Sequence, residues 1–553
     1  MFENKLPLPI GEDFYKKAVS NYFTIDKTLM IKDVIDAETK VSLFTRPRRF
    51  GKTLNMDMLR VFFETTPNDN SVYFKDKLIW QQGEKYTKEC GKYPVIWLTF
   101  KDVKCDDWEA SLIKIRRLFA DEYERHQNIL NSLSLKDKEL FQNILMSSSS
   151  VADLENSICN LCRYLADFYG EQTIIIIDEY DTVIQKGYTC GFYNEAVSFM
   201  RNLFSGAFKN NPCLKYGFMT GILRISKESI FSGLNNLKVY TVLDDNFSEY
   251  FGFTKDDIHT LTEYYECEDK FDELCDWYDG YRFGDTEIFN PWSVINYIYD
   301  GCVPKIQWAN TSSNDVIYEL LSRADNDTLK NLNALYENKP VSSVVNLTTT
   351  YMDLKSSQVE ILSFLLITGY LKVTDSIREN DENVYNFAIP NREIRTIYRN
   401  EILNRAGEFS DEPSLAFNIS AALRTKNLYD FEKLVKHFLQ ASVSYYDSSE
   451  SFYHGLILGL LAFTGEYYNV KSNREAGYGR FDIALFPLKE GYPGYVFEFK
   501  VAKSVLLLDL KANEALRQIN NNEYAEELAN AGIKNIIKVG MAFKGKRAVI
   551  KSA

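Results

Sequence analysis

The sequence predicts an α/β protein in three parts: a parallel sheet with flanking helices over residues 1–290, a mainly helical lid or connector over 291–445, and a smaller α/β domain over 446–553. Three observations lead there. Apolar runs without alternation recur in the first part and end in polar residues, as buried parallel strands do. The patterns from about 291 to 400 are mainly helical. Near the carboxyl terminus a buried helix, two strands, a second helix and a strand follow in order.

The first strand is Lys40-Val41-Ser42-Leu43-Phe44-Thr45, followed by Arg46-Pro47-Arg48-Arg49-Phe50-Gly51-Lys52-Thr53 and the helical pattern Leu54, Met58, Val61, Phe62. Strand, loop and helix stand in the order a phosphate-binding loop requires, so the part reads as P-loop NTPase-like. Gly51 would let the backbone approach the anion, Lys52 would reach the β/γ-phosphates and Thr53 would meet Mg²⁺, with helix N-terminal amides facing the charge. Arg46 stands where the first glycine of the motif is usual, and Arg48 and Arg49 add bidentate donors. A plain basic surface turn is the alternative reading of these four cations.

Tyr93–Phe100 reads as another core strand, and Thr173-Ile174-Ile175-Ile176-Ile177 runs straight into Asp178-Glu179-Tyr180-Asp181. Asp178 would hold Mg²⁺ through water and Glu179 would orient the attacking water. Leu214–Thr220 is a further strand whose end would bring Thr220 near the γ-phosphate, with Arg224 just beyond. The site is expected at the carboxyl ends of these strands. In the middle part Val359–Ile367 is the most apolar helix and Val384–Ile389 a strand, and residues 401–445 read as helical.

The last part carries a second chemical pattern. Phe452–Leu461 reads as a buried helix, Arg480-Phe481-Asp482-Ile483 opens one strand, and Tyr495-Val496-Phe497-Glu498-Phe499-Lys500 lies in the next. Alternation sends Glu498 and Lys500 to one face and Phe497 and Phe499 to the other. With Asp482 on the neighbouring strand, two carboxylates can share Mg²⁺ or Mn²⁺, hard cations that take oxygen ligands. The metal would polarise a scissile phosphate, and Lys500 would position the nucleophile or offset developing charge. A solvated ladder on an amphipathic strand is the competing explanation. Lys511–Ile519 and Tyr524 read as helical, Ile536–Phe543 as a closing strand, and His454 as a satisfied core histidine.

Composition narrows the class. A chain of 553 residues exceeds one core, and 45% hydrophobic with 25% charged residues is ordinary for a globular protein. No run approaches the length needed to span a bilayer, and the amino terminus lacks an apolar signal core, so a cytoplasmic protein is expected. Nine cysteines at irregular spacing suit reduced thiols; Cys159-x-x-Cys162 has no second pair to make a zinc site. A net charge of -13 argues against indiscriminate coating of nucleic acid, although Glu498 to the end holds ten Lys/Arg against six Asp/Glu.

Over the last hundred residues, His454, Glu475, Gly479, Arg480, Asp482, Glu498, Lys500, Gln518 and Tyr524 resemble the PD-(D/E)XK nuclease superfamily, in the form that follows an AAA-type ATPase-like domain in bacterial proteins. That resemblance implies a restriction-endonuclease-like α/β fold, catalytic roles for Asp482, Glu498 and Lys500, and support of substrate or metal by Gln518. The front portion is similar to the ATPase-like domain itself through Leu8-Pro9-Ile10-Gly11, Asp26-Lys27, the Arg46–Thr53 loop, Asp178-Glu179-Tyr180-Asp181, Thr220–Asn236, Trp277–Phe283 and Phe289–Ser293. It implies ATP binding by a loop in which Arg46 is expected. Nearly the whole chain is covered. The combined expectation is an ATP-binding protein and ATPase whose nucleotide state gates a Mg²⁺-dependent nuclease acting on DNA or RNA. Two other classes stay open: an ATP-dependent switch whose last domain binds nucleic acid without cutting, and a protein-interaction module. AAA-type relatives add a homo-oligomer with an arginine finger from a neighbouring subunit to what is worth testing.

Overall fold

Six consecutive buried residues, Thr173–Asp178, form a strand covered on both faces, which is why its sequence shows no alternation. A computed structural model of the chain describes residues 5–223, 234–308, 324–347, 358–379, 381–399, 402, 415–442, 449–462, 464, 467–472, 475–476, 479–489, 491–521 and 524–553. The chain divides into two units, residues 1–403 and 404–553. The region expected as a connector is thereby shared, 291–403 grouping with the first unit and 404–445 with the second.

The first unit is built on a five-stranded parallel sheet. Its strands are β1 (Val41–Thr45), β2 (Val95–Thr99), β3 (Thr173–Asp178), β4 (Leu214–Gly221) and β5 (Leu237–Tyr240), in the spatial order β2-β3-β4-β1-β5. β4 therefore lies between the strand that feeds the Arg-rich loop and the strand that ends in Asp178. Register aligns the carboxyl ends: Thr45 pairs with Gly221, and Thr99 with Asp178. Helices such as Trp108–Arg125, Ser157–Tyr169 and Tyr193–Phe208 flank the sheet. The helix Lys52–Phe63 starts from Gly51, whose φ of 74° is left-handed and open to glycine without cost.

After the sheet come a short hairpin of β6 (Tyr281–Phe283) and β7 (Thr286–Ile288), several helices, and an antiparallel sheet of β8 (Val341–Val344), β9 (Lys372–Glu379) and β10 (Glu382–Ala388). The apolar segment expected as a helix is one, Gln358–Thr368, and eight of its residues are buried.

The second unit holds a mixed sheet of β11 (Tyr468–Ser472), β14 (Ile483–Pro487), β15 (Gly494–Val501), β16 (Ile536–Lys544) and β17 (Arg547–Ser552) in that spatial order, with a small hairpin of β12 (Glu475–Ala476) and β13 (Gly479–Arg480) between the first two. β15 and β16 are parallel, and the other neighbours are antiparallel. The strand expected to close the domain, β16, is followed by one more. One face of the sheet carries Tyr495, Phe497, Phe499, Met541 and Phe543 against three helices that include Glu450–Ala462. The other face receives the helix Leu508–Asn521. Among the described residues no helix is long and apolar enough to cross a membrane.

Candidate active sites

At the carboxyl edge of the first sheet the loop, the helix and three strand ends meet at Asp178. Its side chain is buried and accepts three hydroxyls: Thr53 at 2.9 Å, Thr99 at 3.2 Å and Thr220 at 2.5 Å. The last two come from β2 and β4, the neighbours of β3 in the sheet, and the first from the helix that the loop after β1 leads into. Burial pushes the Asp178 carboxyl above its ordinary range, with the Thr220 and Thr53 hydroxyls opposing the shift. Glu179 follows at a φ of 51°, a left-handed conformation that costs a non-glycine residue energy. Its amide donates to Thr220 Oγ1 at 3.2 Å, which helps to hold the turn.

Lys52 is buried, and its ammonium donates to the carbonyls of Arg46 at 3.1 Å and Pro47 at 2.8 Å. Burial lowers its pKa while Glu179, Asp181 and Asp178 pull the other way. Gly51, Lys52, Thr53, Arg48 and Glu179 all line one cavity of about 590 Å³. The lining of that cavity also includes apolar side chains, among them Pro9, Phe23, Ile25, Phe253 and Trp292. Cationic and apolar groups in one cavity suit a molecule with a phosphate chain and a flat ring.

Arg46 is placed differently from what its position in the loop suggests. It is fully buried and donates to the carbonyls of Thr45 at 2.9 Å and Tyr240 at 3.0 Å, with its guanidinium about 5 Å from the rings of Phe251 and Phe283. Burial lowers its pKa to about 9, so it stays charged at neutral pH. Arg46 thus fastens β1 to the end of β5 and does not line the cavity. Arg46→Ala is expected to destabilise the first unit by about 3 kcal/mol, because buried carbonyls lose their donor. Arg48→Ala is expected to leave the urea midpoint of the full chain unchanged. Equal midpoints for Arg46→Ala and the unaltered chain would contradict this placement.

Two of the sequence motifs grip the loop from outside. Phe50 packs edge-on against Tyr281 of β6 at 5.0 Å and near Phe283 at 5.1 Å. Gly280 approaches the Pro390 carbonyl so closely that a Cβ would sit 2.1 Å from it. Arg49 lies 4.7 Å from the ring of Trp292 and donates to the Gln307 carbonyl at 2.5 Å. Ser293, which follows Trp292, donates to the buried carboxylate of Glu393 at 2.8 Å. Lys101, absent from the sequence reading, lines the cavity too. Arg224 lies outside the described residues.

The second unit gathers the other pattern. Ile483 pairs with Phe497, and one step beyond, Asp482 accepts the Phe499 amide at 2.7 Å. Glu498 follows Phe497 on β15, on the face opposite the aromatic core. Its Oε1 lies 3.1 Å from the Lys500 ammonium, while Oε2 is buried with no hydrogen-bond partner. Burial, then repulsion from Asp482, pushes the Glu498 carboxyl up to about 7. Asp482 is raised as well, chiefly by burial. Burial lowers the Lys500 ammonium, but the charge and hydrogen bond of Glu498 outweigh it and the pKa is raised.

His454 does more than fill the core. Its Nε2 lies 3.0 Å from both the Asp482 carbonyl and the Ser472 hydroxyl, so the ring sits between the backbone of Asp482 and the end of β11. Glu450 sits one helical turn earlier, and its charge acts on Asp482, Glu498 and Lys500. The four-residue spacing to His454 was the available signal, and sequence reading missed it. Gln518 donates to the Tyr524 hydroxyl at 3.4 Å, on the helix where Glu514, one turn earlier, feels the charge of Lys500. That helix lies directly on β16: a Cβ on Gly540, the register partner of Glu498, would meet the Ala512 carbonyl at 2.4 Å. The side chains of Glu475 and Arg480 are outside the described set.

Among the described residues no group of three or more His, Cys, Asp and Glu stands ready to hold a metal. Two carboxylates do converge, one of them with a buried oxygen that nothing satisfies. That donor set fits a hard divalent cation that keeps water ligands, and such a cation would relieve the repulsion between Asp482 and Glu498. In the first unit both oxygens of Asp178 already accept hydroxyls and only Thr53 of this pair lines the cavity, so Mg²⁺ there would meet the Thr53 hydroxyl directly and Asp178 through water.

Comparison with known proteins finds a family model for each of the two regions. Residues 9–231 match a family model described as AAA-ATPase-like, a "Predicted AAA-ATPase". Residues 448–553 match the PD-(D/E)XK nuclease superfamily. A relative in Azotobacter chroococcum mcd 1, described as "Uncharacterized protein in vnfD 5'region", is 24% identical over 572 residues, covering 100% of this chain and 98% of its own length.

Proposed function

We propose, for a chain that carries an AAA-ATPase-like domain ahead of a PD-(D/E)XK nuclease superfamily domain, that it binds and hydrolyses ATP in the first and cleaves phosphodiester bonds of DNA or RNA in the second. The observation that carries the nuclease reading is the buried, unpartnered oxygen of Glu498, set beside Asp482 and with Lys500 on the other oxygen. Asp482 and Glu498 would hold Mg²⁺ or Mn²⁺, which supplies Lewis-acid polarisation of the phosphate when bound. Lys500 offsets charge that develops on the phosphate or steers the attacking water. Glu498 holds that ammonium in place, and His454 sits against the backbone of Asp482.

In the first domain Lys52 and the amides that open its helix bind the phosphate chain. Asp178 holds the hydroxyls of Thr53 and Thr220 in position, and Glu179 is the base that orients water. Arg48 stands at the cavity wall as a further cation. The apolar lining that includes Phe23 and Trp292 supports a nucleobase as the other part of the ligand. Gating of the cut by nucleotide state is supported by the presence of both sites in one chain.

The test is cleavage of single- and double-stranded DNA and RNA by the full chain, with Mg²⁺ or Mn²⁺ and with or without ATP. Metal-dependent cutting that ATP changes is expected. No cutting of any substrate would sink the nuclease reading, and equal cutting with and without ATP would sink the gating.

A further inference from the structure

Lys101 stands two residues beyond the carboxyl end of β2, on the rim where the loop, Asp178 and Glu179 meet. Its backbone is tied to that rim by one hydroxyl: the Lys101 amide donates to Thr99 Oγ1 at 3.4 Å, and Thr99 Oγ1 donates to Asp178 at 3.2 Å. Its side chain lines the same cavity as Lys52, Thr53 and Glu179. Burial pulls its ammonium down, but Asp13 and the charges of Glu179 and Asp178 draw it up on balance.

The ammonium is paired with Asp13 at 2.6 Å, and both side chains are close to half exposed, 44% and 43%. A pair so open to solvent is held weakly. Lys52 is its opposite: buried, with carbonyls of its own loop as partners. Of the four lysines that line the cavity, Lys27, Lys52, Lys101 and Lys104, Lys52 is fixed in the loop itself and Lys101, on the rim beside Asp178, holds a partner it can exchange. A terminal phosphate, with more charge on compact oxygens than a carboxylate, is a stronger partner for an ammonium.

We propose that Lys101 reads the γ-phosphate of the bound nucleotide, exchanging Asp13 for the terminal phosphate when a triphosphate occupies the cavity and returning to Asp13 when a diphosphate does. This rests on the nucleotide reading given above. Asp13 belongs to the amino-terminal stretch that also lines the cavity through Leu8, Pro9 and Glu12. The exchange would release the end of that stretch in the triphosphate state alone, which makes the pair a device that distinguishes ATP from ADP.

The experiment is calorimetric titration of the full chain, with Mg²⁺, by ADP and by the non-hydrolysable triphosphate adenylyl imidodiphosphate. Lys101→Met is expected to weaken the triphosphate at least about tenfold and the diphosphate by less than about twofold, the loss of one charge-assisted hydrogen bond made only to the γ-phosphate. Asp13→Asn is expected to strengthen the triphosphate and leave the diphosphate unchanged. Lys101→Met that weakens both ligands equally, or neither, overturns the assignment of the γ-phosphate to Lys101. Asp13→Asn without a gain for the triphosphate overturns the exchange. Failure of the unaltered chain to bind either nucleotide would overturn the nucleotide reading itself, an outcome distinct from binding with an unchanged preference. Thermal unfolding of each variant checks that the fold is retained, and Lys101→Arg, which keeps the charge, should retain most of the preference.

Discussion

Lys500→Ala is expected to lower Mg²⁺-dependent cleavage by about 10²- to 10³-fold, the size of effect seen when one preorganised charge-stabilising group is removed. The geometry gives the loss two parts. The ammonium that would face the phosphate disappears, and Glu498 Oε1 loses the partner it holds at 3.1 Å. Glu498 Oε2 already has none, so the variant keeps a buried carboxyl with no polar contact to either oxygen. A group raised to about 7 with Lys500 present becomes harder still to ionise without it. Lys500→Arg separates the contributions, since it keeps the charge but replaces a compact ammonium by a planar fork. Cleavage by Lys500→Arg is expected between the other two chains. Single-turnover cleavage rates, beside unfolding midpoints for all three, provide the check. A wild-type rate in Lys500→Ala would remove Lys500 from the chemistry.

The second large effect is expected at the other site. Lys52→Ala should weaken ATP binding by at least about 100-fold, since two charge-assisted hydrogen bonds to phosphate are lost at about 1.5–3 kcal/mol each. The side chain is buried and bonded to the Arg46 and Pro47 carbonyls, so the substitution also frees the loop that should hold the ligand. Binding is read by titration with ATP and Mg²⁺, and cutting by the same chain is read with and without ATP. Under the gating proposal the variant cuts alike in both conditions. ATP affinity unchanged in Lys52→Ala would show that this loop is not the phosphate site.

Much of the framework could be read from residues because burial writes itself into apolar runs. β3 shows this best: five apolar or β-branched residues in line, then Asp178 at the edge, where it gathers three hydroxyls. Glu498 and Lys500 were legible for a related reason, since alternation within one strand sorts polar from aromatic side chains. β5 was missed. It has four residues, Leu237–Tyr240, and only Tyr240 is fully buried, so no apolar run marks it. β17 was hidden in the same way, as its buried residues alternate with partly exposed ones and with Arg547 and Lys551. Arg46 misled because a cation in a phosphate-binding sequence looks like a ligand. Its direction is decided by Tyr240, distant in sequence, and the aromatic rings that receive it. Lys101 and Glu450 escaped because neither belongs to a motif. What makes them relevant is the sheet edge or helix face that carries them past a site.

The grip on the phosphate loop has a practical meaning for dissecting the protein. Phe50, Arg49 and Pro47 rest on Tyr281, on Trp292 with Gln307, and on Gly369. Two of these three supports lie beyond residue 290, where sequence patterning alone would end the first domain. A fragment cut there would retain every residue of the loop and lose most of the scaffold that shapes it. Its failure to bind nucleotide would then report the choice of endpoint, so the shortest fragment fit for measuring this site ends near residue 403, where the first unit ends.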